Sequence, residues 1–160
     1  MVTRASPSLT SGQESAVKAS ERTQNALLKA QEHLYTALRR PQPARERQWA
    51  ELVGRELAAA LSALRDHRLE VEGREGLYAE LMLDAPWVAP RIRQVASQLS
   101  RLEADAIDLQ IEVARAEAGD LQAIGVVRAD AERILLSLRD ILNKEADLIY
   151  ERFNQPAALD

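Results

Sequence analysis

The chain has 160 residues, enough for one domain with a substantial core and short for two. Its net charge of −4 is interspersed along the chain instead of gathered in blocks, which argues against a basic nucleic-acid face, and aromatics at 4% leave few platforms for stacking bases. Cysteine is absent, which removes disulfides and thiol catalysis, and the longest apolar run, Leu57 to Leu64, is far short of the roughly 20 residues a membrane span needs. We therefore expect a cytoplasmic protein with no nucleic-acid or membrane partner.

Residues 1–13 are rich in Ser and Thr and offer little to bury, so a flexible N-terminal tail is expected there. From about Glu14 to Arg39 the pattern turns helical, weakly through Val17 and Thr23, then clearly through Leu27, Leu28, Gln31, Leu34, Tyr35 and Leu38. Pro41 and Pro43 end this helix. The spacing predicts a second helix from about Ala44 to Glu72, with Trp49, Val53, Leu57, Ala60, Leu64, His67 and Val71 on its inner stripe. Gly73 and Gly76 then break the chain, and Leu77 to Leu83 reads as a short helical insertion before Pro86 that buries Leu77, Leu81 and Trp87 over the bundle end. An aromatic-lined pocket beside this insertion is the expected small cavity.

A third helix opens near Val88 with Pro90 in its first turn and runs to about Glu117, carrying Val88, Ile92, Val95, Leu99, Leu102, Ala106, Leu109 and Val113. Gly119 stops it, and Asp120 is placed to cap a fourth helix that starts there or beyond Gly125 and ends near Asn154. Residues 155–160, with Pro156, form a short tail. Alternating β-branched runs are nearly absent. The economical solution is an all-α, antiparallel up-down-up-down four-helix bundle over residues 14–154. Trp49, Trp87, Tyr35, Tyr78 and Tyr150 are expected as core and cap residues, and Arg45, Glu46, Arg47, Arg91 and Arg93 as solvated surface.

The catalytic inventory is thin. Histidines number two, His33 and His67, and no serine elbow, phosphate-binding glycine loop or dinucleotide fingerprint occurs. On the last helix Ile134, Leu138, Ile141, Leu148 and Arg152 share a stripe, and Glu145 puts a carboxylate where packing alone would want Leu. Such a group needs a cationic partner, for which His67, Arg152 and Arg101 are candidates. Bundles can hold metals between His and carboxylates of facing helices, and His33, His67, Glu70, Glu103 and Glu145 form the candidate ligand set.

The runs DHRLEVEGREGLYAEL, APWVAPRIRQV and KEADLIYERFN resemble bacterial members of the hemerythrin-like, or HHE cation-binding, family, with His33 in QEHLYTAL and His67 in LRDHRLEVEG matching its first two histidines. The resemblance implies a four-helix bundle and a non-haem iron centre. Leu99 and Ile141 stand at the later histidine positions, each followed four residues on by a carboxylate, Glu103 or Glu145. The favoured expectation is a noncatalytic bundle that has lost its di-iron centre and acts on an unknown protein partner or small ligand, with a homodimer through the Glu14 to Gln24 segment as one form. The alternative is a residual iron or zinc protein in sensing, storage or oxygen-related chemistry.

Overall fold

In a computed structural model the described residues are 9–40 and 42–154; the expected tails at 1–8 and 155–160, and Pro41 as a helix stop, lie outside them. Among these residues all regular structure is helical: α1 (Ser11–Leu38), α2 (Glu46–Glu72), α3 (Leu77–Asp84), α4 (Ala89–Glu117) and α5 (Gln122–Asn154), with a 3-10 turn at Pro86–Val88. The four long helices bury their apolar stripes against one another as a helical bundle, and the insertion α3 is helical as expected.

Helix α1 begins at Ser11, three residues before the expected start at Glu14. The cause is a capping box. The Thr10 hydroxyl accepts from the Gln13 amide at 3.1 Å, and the Gln13 side-chain oxygen accepts from the Thr10 amide at 3.1 Å. Gln13, Ala16 and Ser20 are thereby buried. Helix α2 starts at Glu46, not Ala44, because Ala44 takes a left-handed backbone (φ 63°) that cannot belong to a right-handed helix. Asp120 caps α5 through its carboxylate, which accepts from the Gln122 amide at 3.1 Å. The helix then runs unbroken through Gly125.

The inner stripes of α2 and α4 are buried as the periodicity requires, with Ala60 half-buried. Three aromatic expectations fail: Tyr35, Trp87 and Tyr150 are exposed. Tyr35 follows the buried Leu34 and faces out beneath the Arg39 guanidinium, 5.1 Å from the ring centre. Trp87 sits in the 3-10 turn, where the tight repeat turns Val88 inward and leaves the indole outside. Trp49 is buried, and its indole N–H donates to the Ala37 carbonyl at 3.1 Å.

Helix α2 packs broadly on α1 and α4, and α4 on α5, whereas α1 and α5 meet only sparsely. Cross-helix contacts record the levels. The start of α2 meets the end of α1 through Trp49 and Ala37, Arg65 and Arg68 of α2 reach Glu103 of α4, and Gln98 of α4 meets Lys144 of α5.

Two glycines should respond oppositely to alanine. A Cβ at Gly125 meets nothing within 4 Å, so Gly125→Ala should stabilise by about 0.5–1 kcal/mol through helix propensity. A Cβ at Gly76 would collide with the Glu70 carbonyl and lie 2.9 Å from that of Val71, so Gly76→Ala should cost about 1–3 kcal/mol. Urea denaturation of the two variants reads both signs.

Candidate functional site

Each inner stripe carries apolar side chains through most of its length, and one layer is polar. Glu145 lies between the buried Ile141 and Leu148 on α5, and His67 between the buried Leu64 and Val71 on α2. His67 is 0% and Glu145 2% exposed, so neither can be hydrated and each must find its partners inside. They find each other: His67 Nε2 lies 2.8 Å from Glu145 Oε2.

The remaining polar atoms are satisfied by two further helices. The Tyr78 phenol of α3 donates to Glu145 Oε1 at 2.5 Å, and the Thr23 hydroxyl of α1 lies 2.8 Å from His67 Nδ1. Thr23 also lies 3.1 Å from the Ser20 carbonyl, to which its hydroxyl can donate. Helices α1, α2, α3 and α5 thus contribute one side chain each to a continuous chain of hydrogen bonds.

Hydrogen counting fixes the number of protons in the layer. Thr23 has one hydroxyl proton. Directed to the Ser20 carbonyl, it leaves Oγ1 to accept from His67 Nδ1–H, and one further proton then lies in the hydrogen bond between Nε2 and Glu145 Oε2. Directed to Nδ1 instead, it leaves the ring neutral and the carboxylate as an uncompensated buried charge, at a cost of several kcal/mol. The first arrangement satisfies every polar atom and leaves the layer without net charge.

Burial, followed by the adjacent Glu145 charge and the hydrogen bond to it, holds the Tyr78 phenol far above the usual tyrosine range. A proton bound more tightly in the folded than in the unfolded chain contributes stability that is fully present below the unfolded value of about 10 and is lost progressively as pH rises from there towards the raised folded value.

The candidate metal ligands do not converge. His33 is exposed, with Nδ1 3.9 Å from Glu56 on α2. Glu56 precedes His67 by 11 residues, which separates the two histidines by roughly 16 Å along the helix. Glu103 turns to the surface between Arg65 (3.0 Å) and Arg68 (2.8 Å), whose hydrogen bonds, Arg68's first, hold its carboxyl below the usual range. Glu70 is half-buried on the lip of a cleft that it shares with Gly73, Gly76 and Glu80. Only His67 and Glu145 meet, and among the described residues no three His, Asp or Glu side chains are grouped to hold a metal ion. The hemerythrin-type donor set therefore does not fit a metal here.

Of the partners expected for Glu145, His67 is the one that meets it. Arg152 pairs instead with Asp84, which also accepts from the Gln13 amide nitrogen at 2.7 Å and so ties the ends of α1, α3 and α5 together. Tyr78 and Thr23 are the members that sequence reasoning missed, one assigned to the core without its hydroxyl and the other to a weak stretch of stripe. The expected aromatic pocket beside the insertion is instead a cleft without aromatic side chains, its lining mixed between Leu69 and small residues and the carboxylates of Glu70, Glu75 and Glu80, because Tyr78 is spent on the core.

Fold and site together define an all-helical bundle closed around a self-satisfied polar layer. Comparison with protein-family models, curated proteins and solved structures finds no match to this chain.

Truncating one partner of the pair leaves the other buried alone. Glu145→Leu should therefore cost about 3–5 kcal/mol, while the double variant His67→Leu/Glu145→Leu should recover much of that loss. Denaturation of both single variants and the double closes the cycle. A second expectation follows from Tyr78: in an ultraviolet-monitored alkaline titration, part of the phenolate signal should appear only as the helices melt, and Tyr78→Phe should abolish that delayed part.

Proposed function

We propose that the protein is a noncatalytic interaction module built on a hemerythrin-like, antiparallel up-down-up-down bundle whose di-iron layer has been replaced by the Thr23–His67–Glu145–Tyr78 network. One observation carries the reading. Both nitrogens of His67 and both oxygens of Glu145 already have protein partners within a core that excludes water, so every donor atom of the pair is engaged inside the chain. The opposed course of successive long helices is supported by the cross-helix levels: residue numbers rise on one helix as they fall on its neighbour, from Trp49–Ala37 to His67–Thr23 and from Arg91–Glu151 to Gln98–Lys144. The resemblance of residues around His33 and His67 to the hemerythrin-like family supplies the ancestry. No described helix is long and apolar enough to cross a membrane, and we assign the module to the cytoplasm.

Elemental analysis of protein purified without chelators tests the reading. Iron and zinc should be far below stoichiometric, and the melting temperature should be the same with and without chelator. Stoichiometric metal that disappears in His67→Ala would overturn it in favour of a residual iron or zinc site.

A further inference from the structure

The sparse contact between α1 and α5 leaves an open groove of about 750 Å³ on one side of the bundle. Its walls carry Leu28 and Tyr35 from α1 and Leu136 from α5, which are 44%, 47% and 68% exposed. Large apolar side chains are thereby gathered on the one face where two long helices fail to cover each other. Leu135, buried on the same wall, extends the apolar surface towards the core.

The charges at the rim are sorted. Thr23 and Glu145 share a level through His67, so with α1 and α5 running in opposite directions Lys29 and Arg139 stand side by side, each six residues further along the groove. Glu32 lies one turn beyond Lys29, and Glu132 two turns beyond Arg139, at about 1.5 Å per residue. The groove is therefore cationic at one end and acidic towards the other. Among the described residues none of these four charges has an ion pair within the chain, whereas Lys18, Arg115, Arg133 and Lys144 all pair with neighbours on their own helices.

We propose that the α1–α5 groove is the interface of a homodimer, occupied by the same face of a second copy related by a two-fold axis across the groove. Such an axis brings Lys29 and Arg139 of one copy against Glu32 and Glu132 of the other, twice over, and sets Leu136 against its own counterpart in the centre with Leu28 of each copy against Tyr35 of the other. Self-complementarity is the condition for an isologous interface, and a face with charges of opposite sign at its two ends meets it. The proposal rests on the interaction-module reading and names its partner. It moves the dimer contact from the expected Glu14 to Gln24 segment to the following half of α1.

Sedimentation equilibrium of the full chain tests it. The wild type should be dimeric, and Leu136→Glu, at a position exposed in the single chain, should raise the dissociation constant roughly 30-fold or more with helicity by circular dichroism unchanged. Lys29→Glu/Arg139→Glu should also weaken the dimer, because it leaves the groove wholly acidic. Adding Glu32→Lys/Glu132→Lys to that variant restores opposite signs and should restore association. A monomeric wild type would overturn the proposal, as would a dimer indifferent to Leu136→Glu and to the reversals. Neither result bears on the metal analysis, so failure of the dimer and failure of the interaction-module reading are separable.

Discussion

A carboxylate that cannot reach water is the constraint to which much of this bundle answers. Glu145 has neighbours of aliphatic character one helical turn before and after it, and the surrounding low dielectric leaves its charge no relief except protein donors. His67 supplies one and Tyr78 another, and His67 in turn needs Thr23. Satisfying one group therefore recruits side chains from three other helices. The insertion α3 has a clear role in this light. Its Leu77 and Leu81 anchor it against the bundle, and Tyr78 between them reaches the carboxylate.

The two carboxylates that follow an aliphatic residue by four positions have opposite fates, and the stripe geometry explains why. On α4 the buried positions step from Leu99 to Leu102 to Ala106, so Glu103 lies just past the inward direction and swings out to Arg65 and Arg68. On α5 they step from Ile141 to Leu148 with Glu145 itself between, so the carboxylate points into the core. Glu103 needed only water and two guanidinium groups. Glu145 required a dedicated network from Tyr78, His67 and Thr23.

Much of the fold was legible in the chain because helical periodicity is a local signal repeated many times. The stripes of α2 and α4 and the misfit at Glu145 are read from residues three or four apart. What was illegible depends on contacts between distant segments or on single backbone choices. Tyr78 looks the same in sequence whether its hydroxyl meets solvent or a carboxylate 67 residues away. Trp87 is apolar enough to be placed inside, and a 3-10 turn put it outside. The early start of α1 was the exception, since Thr10 and Gln13 already have the spacing of a capping box and a composition rich in Ser and Thr disguised it. The candidate metal set failed on face and on height together: Glu103 swings out to Arg65 and Arg68, and His33 is exposed beside Glu56, 11 residues before His67 on α2.

The polar layer and the open groove are two consequences of how α1 is held. Trp49 pins the end of α1 to the start of α2, and His67 pins its middle through Thr23, so its position along α2 is set at two levels about 14 residues apart on α1. Both pins act through α2, and α1 reaches α5 at this layer only by way of His67. The seam between the outer helices is thus left wide while the heights of Leu28, Lys29, Glu32 and Tyr35 are fixed against those of Glu132, Leu136 and Arg139. A surface whose helices are already held in register loses little backbone freedom on association, and that is the circumstance in which a modest apolar strip with sorted charges makes an effective interface.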